Sequence, residues 1–105
     1  VQVSLDGDLR RGGVPADRVL EVAEAIEAAP GLALGGLMAV APRDSDPADA
    51  FAPLRRLSEA IRSVNASATV ISAGMSGDME AAIGCGATHL RIGTALLGAR
   101  RRPVR

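Results

Sequence analysis

The stretch Leu32-Ala33-Leu34-Gly35-Gly36-Leu37-Met38-Ala39-Val40-Ala41 decides the fold class. Apart from two glycines every residue in it is apolar. A strand with one wet face alternates apolar and polar residues. A run without polar interruption is expected of a strand covered on both faces, as in parallel sheets. Gly35 and Gly36 weaken such a strand and point to close approach of another backbone or a ligand. Upstream, Pro30-Gly31 ends a helical pattern over Pro15–Ala29. There Val19, Val22, Ala23 and Ile26 recur at i, i+3, i+4 and i+7, which places them on one helical face. Pro15 suits the first helical position, where a missing N–H leaves no partner unserved. Before it, Val1–Leu5 reads as a strand and Asp6–Gly13 as a Gly- and Arg-rich loop.

Downstream, Pro42–Pro47 is a polar loop, and Asp46 before Pro47 signals a helix start. Phe51, Leu54, Leu57, Ile61 and Val64 mark one face of that second helix. Thr69–Ser72 reads as a third strand. Ala73-Gly74-Met75-Ser76-Gly77 turns into a third helix over Asp78–Ile83, ended by Gly84 or Gly86. Thr88–Ile92 is a fourth strand, and Gly93-Thr94 opens a last helical turn that Gly98 ends. The tail Ala99–Arg105, with four arginines, is expected to be loose. The order β-α-β-α-β-α-β-α predicts one α/β domain with parallel strands, right-handed crossovers and outer helices. Four such units make half of a (β/α)8 barrel, or a small open sheet.

Composition narrows the function. The 105 residues are 48% hydrophobic and carry a formal net charge of zero. That is a folded chain, and it lacks the basic surplus of a nucleic-acid footprint. All twelve basic residues are arginine, so no lysine of this chain can form a Schiff base. One cysteine excludes an internal disulfide framework, and no metal-ligand spacing occurs. No apolar run approaches the roughly 18 residues of a membrane span, and no basic n-region opens the chain. The expected setting is cytoplasmic. The absence of an initiator methionine points to a fragment.

The chemistry-bearing residues gather at the last two strand ends. Ser72-Ala73-Gly74-Met75-Ser76-Gly77-Asp78 leaves a strand and enters a helix, and Arg91-Ile92-Gly93-Thr94 does the same. In parallel α/β folds ligands sit at the carboxyl ends of strands. Unpaired N–H groups there suit a phosphate, and the hydroxyls of Ser76 and Thr94 can add donors. The alternative is a pair of ordinary capped turns. Asp78 and Glu80 would repel an anion if they pointed inward, so they are expected to face solvent. Alternation puts His89, Arg91 and Gly93 on one strand face and Leu90 and Ile92 on the other. An inward Arg91 needs a carboxylate, a carbonyl or a ligand atom as acceptor. His89 and Cys85 read as structural, Met38 and Met75 as core fillers or pocket floor, and Arg10-Arg11-Gly12-Gly13 as a solvated loop or an anion site.

Three segments carry a family resemblance. Gly36-Leu37-Met38-Ala39-Val40, Gly74–Ile83 and Gly86–Gly98 resemble the C-terminal half of the YggS/PROSC family of pyridoxal 5′-phosphate (PLP) homeostasis proteins. Val1–Asp8 and Arg11–Val14 resemble its actinobacterial branch. The resemblance covers essentially the whole chain. It implies a (β/α)8 barrel like the N-terminal domain of alanine racemase, holding PLP in the barrel mouth. Position by position, it puts the pyridine-nitrogen partner at Arg91 and the phosphate cradle at Met75, Ser76, Gly93 and Thr94. Ser72 and Met38 follow as further pocket residues. The family's Schiff-base lysine falls in no segment of this chain, and Arg11 replaces a second family lysine. Ala73 and Leu97 stand where methionine and phenylalanine are usual. The resemblance implies a carrier and regulator of PLP supply, not an efficient catalyst. An alanine-racemase-type enzyme and a ligand-free half-barrel that self-associates are the alternatives.

Overall fold

In the computed structural model, which describes residues 1–101, two strands form the centre. Strand β1 (Gly36–Ala39) pairs in parallel with β2 (Val70–Ala73), in the register Gly36↔Val70, Leu37↔Ile71, Met38↔Ser72 and Ala39↔Ala73. Gln2 bridges Met38 on one side and His89 bridges Ser72 on the other, both in parallel. Four chain segments therefore lie side by side in sequence order and point the same way. This is the α/β arrangement with parallel strands that the alternation predicts.

The four expected strands nonetheless reduce to two ladder strands and two single bridges. The fourth segment is irregular at both ends: the Thr88 and His89 N–H groups both donate to Ile71 O, at 2.9 and 3.1 Å, and past the Ala73 N to His89 O bond the Arg91 N–H passes to Gly74 O. The Ile71 N–H turns to the Thr88 hydroxyl instead, at 2.8 Å. Two residues facing one is the geometry of a bulge, and it interrupts the ladder. The first segment pairs through Val3 N to Met38 O and Met38 N to Val1 O, then leaves the sheet at Asp6. Strand β1 is shorter than Leu32–Ala41, and it is not covered on both faces. Leu37, Ala39, Ile71 and Ala73 are buried, whereas Gly36, Met38, Val70 and Ser72 are only half-buried. Among the described residues the helices cover one face of the sheet and leave the other open.

The helices follow the sequence signals with one break. A 3-10 turn (Ala16–Arg18) leads into α1 (Val19–Ala28). The expected second helix is split into α2 (Pro47–Phe51) and α3 (Leu54–Val64), because Pro53 has no N–H to continue the hydrogen-bond ladder. Asp46 caps α2 as expected, accepting from Ala48 N at 2.9 Å. Helix α4 spans Met79–Gly84 and α5 spans Thr94–Leu97, closed by Gly98 at φ +78°. A second 3-10 turn, Leu9–Arg11, lies within the loop Asp6–Gly13. Helix α1 packs on α3, α2 on α4, and α3 on both strands. Val3, Val19, Leu37, Phe51, Leu54 and Ile61 are the fully buried large side chains between these layers. Each such burial contributes about 1.5–3 kcal/mol. Of the expected loose tail, Ala99–Arg101 is exposed and outside any element, and residues 102–105 lie outside the described residues.

Candidate functional site

Gly74 makes the site possible. It follows β2 at φ +101°, and a Cβ there would stand 2.6 Å from Ala82 Cβ and 2.9 Å from Leu90 Cδ2. Only glycine lets α4 and the fourth segment close on this turn. The sequence motif contained Gly74 without revealing this role, because the clash involves residues 8 and 16 positions away. The Arg91 N–H donates to Gly74 O at 2.9 Å, which sets the start of the Arg91 side chain against the carboxyl end of β2.

From there the guanidinium crosses two strand ends. Nη1 of Arg91 donates to Ser72 O at 2.9 Å and to Ser72 Oγ at 2.6 Å, and Nη2 donates to Ala39 O at 3.1 Å. The acceptors are thus two carbonyls and a hydroxyl, with no carboxylate among them. Met38 and Ser72, the further pocket residues that the resemblance implies, are register partners on the half-buried side of the sheet. A guanidinium has five N–H donors. Three hydrogen bonds leave two donors without an acceptor among the described residues.

The two strand-to-helix turns are joined. The Ala95 N–H donates to Ser76 Oγ at 2.9 Å, across 19 residues of sequence. Within the first turn, the Met75 N–H donates to Asp78 Oδ1 at 2.7 Å. One expectation is corrected by that bond: Met75 has no free N–H to offer a phosphate. Asp78 folds back onto its own turn in an exposed bond, and Glu80 is exposed. What remains is a cluster of donors. The N–H groups of Ser76, Gly77, Gly93 and Thr94, and the Thr94 hydroxyl, have no acceptor among the described residues. The space in front of Gly93 is open, and a depression of about 280 Å³ borders Gly93, Thr94 and Leu97. The donors fit a phosphate monoester. Helices α4 and α5 have six and four residues, so the attraction comes from these local N–H groups and not from a sustained macrodipole.

The other candidates are structural. His89 is exposed, with Nδ1 2.8 Å from Thr88 Oγ1. Cys85 is half-buried, its Sγ 3.7 Å from Ala48 O. The loop arginines are paired, Arg10 with Asp8 at 3.0 Å and Arg11 with Asp6 at 3.5 Å. The Arg10 hydrogen bonds hold the Asp8 carboxyl below the usual carboxylate range. Among the described residues no group of His, Cys, Asp or Glu could hold a metal, and no helix is long and apolar enough to cross a membrane.

A parallel α/β layer with a cluster of free N–H and hydroxyl donors at the carboxyl ends of its strands is the class that this geometry defines. The family model for the alanine racemase N-terminal domain matches residues 1–101, and the chain belongs to that family. The chain is 45% identical over 104 residues to the pyridoxal phosphate homeostasis protein of Mycobacterium tuberculosis, covering 96% of this chain and 40% of that protein. It is 42% identical over 100 residues to the protein of the same name from Pseudomonas aeruginosa, covering 95% of this chain and 44% of that one. A crystal structure of an unknown protein from Bifidobacterium adolescentis superposes at TM-score 0.83 with 29% identity, over 91% of this chain and 41% of that chain. PipY of Synechococcus elongatus, solved without PLP, superposes at TM-score 0.81 with 28% identity, over 93% of this chain and 48% of that chain. The two curated relatives carry the name of the family that the sequence motifs resemble. The chain spans less than half the length of each of them.

Proposed function

We propose that the chain binds PLP non-covalently at the carboxyl ends of β1 and β2, as one arc of a (β/α)8 barrel, and that its role is to hold and buffer the cofactor inside the cell. The observation that carries the reading is the junction of the two turns through Ser76 Oγ and Ala95 N–H. It sets the free donors of Ser76, Gly77, Gly93 and Thr94 together, beside an arginine that has donors to spare. A phosphate monoester on an aromatic nitrogen heterocycle matches that pair of features. The name shared by the 38–45% identical relatives supplies the cofactor class.

PLP brings a reactive aldehyde and an electron-accepting ring. The residues of this chain bind and orient it. Ser76, Gly93 and Thr94 take the phosphate, Arg91 faces the ring nitrogen, and Met38 borders the ring from the open sheet face. An arginine keeps its proton at any physiological pH, so it donates to an unprotonated ring nitrogen and leaves that nitrogen without a proton. Electron withdrawal by the ring is then weak, and among the described residues no carboxylate or histidine is hydrogen-bonded to Arg91. This favours a carrier over a racemase.

Titration of the 105-residue chain with PLP, followed by the absorbance of the cofactor, tests the proposal. Association costs offset most of the charge-assisted bonds, so affinity is expected in the millimolar range, about −4 kcal/mol. The complex absorbs as the free aldehyde does, and inorganic phosphate displaces it. Thr94→Val weakens binding and keeps the fold, and Arg91→Ala weakens PLP more than phosphate. PLP that phosphate cannot displace, or a Thr94→Val chain that binds as the parent does, overturns the cradle. No binding of either ligand identifies a structural half-barrel.

A further inference from the structure

We infer that Ser72 is a positioning residue that acts through Arg91, rather than a residue that touches the ligand. The inference rests on the proposed PLP site and extends it. Arg91 is half-buried and has no carboxylate partner among the described residues, so nothing of opposite charge fixes its guanidinium. Its place is set instead by three neutral acceptors at two strand ends. Two of them, Ser72 O and Ala39 O, are backbone atoms that no substitution removes directly. The third, Ser72 Oγ, is the only side-chain acceptor of the set, and its 2.6 Å bond is the shortest.

Geometry gives Ser72 a second hold. Its carbonyl and hydroxyl both accept from the same Nη1, so the two oxygens form a two-point seat for one nitrogen. A single carbonyl would leave the guanidinium free to swing about that one contact. Two acceptors on one residue, with Ala39 O taking Nη2 from the next strand, fix the plane of the fork. With the plane fixed, the donors that remain unsatisfied are held in place as well. Ser72 is also the register partner of Met38 and the bridge partner of His89, so its backbone is tied on both sides. A seat tied on both sides spares an arriving ligand the cost of ordering a long side chain.

The experiment uses the 105-residue chain and the variants Ser72→Ala, Ser72→Thr, Arg91→Ala and the double variant Ser72→Ala/Arg91→Ala. Two readouts are taken. In the ligand-free protein, nitrogen-15 NMR follows the Arg91 side-chain signals. With ligand, the dissociation constants of PLP and of inorganic phosphate are measured separately. Ser72→Ala, which leaves only the two backbone acceptors, is expected to shift the Arg91 signals toward those of a more mobile arginine and to weaken PLP about three- to tenfold, the net range of one intramolecular hydrogen bond. Phosphate affinity stays within about twofold, because the phosphate donors lie on other turns. Ser72→Thr, which keeps the hydroxyl, restores both signals and PLP affinity. The double variant binds PLP no more weakly than Arg91→Ala alone. Arg91 signals that persist in Ser72→Ala overturn the inference. So does a Ser72→Ala chain that loses PLP and phosphate equally, and so do losses that add in the double variant. If the parent chain binds no PLP, the proposed function fails, and the ligand-free NMR comparison still decides whether Ser72 seats Arg91.

Discussion

At residue scale, two adjacent glycines show how far sequence reasoning reaches. Gly35-Gly36 inside an apolar run signals close backbone approach, and the structure has one. It belongs to Gly36, at φ +149°, where a Cβ would lie 1.9 Å from Val70 O. Gly35 has nothing within 4 Å of its Cβ position. Gly36→Ala is therefore expected to push β1 from β2 and cost about 3–5 kcal/mol, whereas Gly35→Ala changes stability by less than about 1 kcal/mol. Thermal unfolding of the two variants checks this, and equal melting temperatures would refute it. Which glycine matters was not legible, since it depends on a register fixed by residues 34 positions downstream. The same holds for Arg91. Alternation along Thr88–Ile92 predicts that it faces inward and needs an acceptor. That the acceptors are Ser72 and Ala39 follows only once β1 and β2 are aligned.

At the scale of elements, helices were the most legible and outer strands the least. Apolar spacing within a helix is a local property, so Leu54, Leu57 and Ile61 mark the buried face of α3 directly. Strand length depends on partners that are distant in sequence. Thr88–Ile92 has the composition of a strand, yet its ladder holds a single bridge, because Ile71 O takes two N–H groups before it and the Arg91 N–H goes to Gly74 O beyond it. The break between α2 and α3 was available in Pro53, whose missing N–H was outweighed by the continuing apolar spacing. Ile61 is fully buried beneath the strands. Ile61→Ala is expected to lower stability by about 2–5 kcal/mol, and Glu59→Ala on the exposed face by less than about 0.5 kcal/mol. Asp46→Ala removes the cap of α2 and costs about 1 kcal/mol, while Asp46→Asn retains most of it. Urea unfolding measures all four, and an Ile61→Ala midpoint equal to that of Glu59→Ala would show that α3 does not pack as described.

At the scale of the molecule, the two sheet edges are unequal. The outer side of the first segment is occupied by Val14, whose N–H donates to Gln2 O and whose carbonyl accepts from Ser4 N, both at 2.8 Å. Gly13, at φ +92°, permits that approach, since a Cβ there would stand 2.8 Å from Ser4 N. The fourth segment has no such strap among the described residues. The Leu90 N–H has no acceptor among them, and Leu96 and Leu97 beside the edge are 78% and 82% exposed. An open edge flanked by apolar side chains is a template for a second chain. A barrel-like pair, in which the first segment of one copy meets the fourth of another, requires the edge that Val14 blocks. Pairing of the fourth segment with its own copy remains, and a two-fold axis makes that pairing antiparallel. The 105-residue chain is thus expected to self-associate with increasing concentration through residues 88–92. Ile92→Lys, which sets a charge on that edge, shifts the equilibrium toward monomer without touching the buried core. Sedimentation velocity over a hundredfold range of concentration distinguishes the outcomes. A parent chain that stays monomeric throughout, or an Ile92→Lys chain that associates as strongly as the parent, would place the contact elsewhere or remove it.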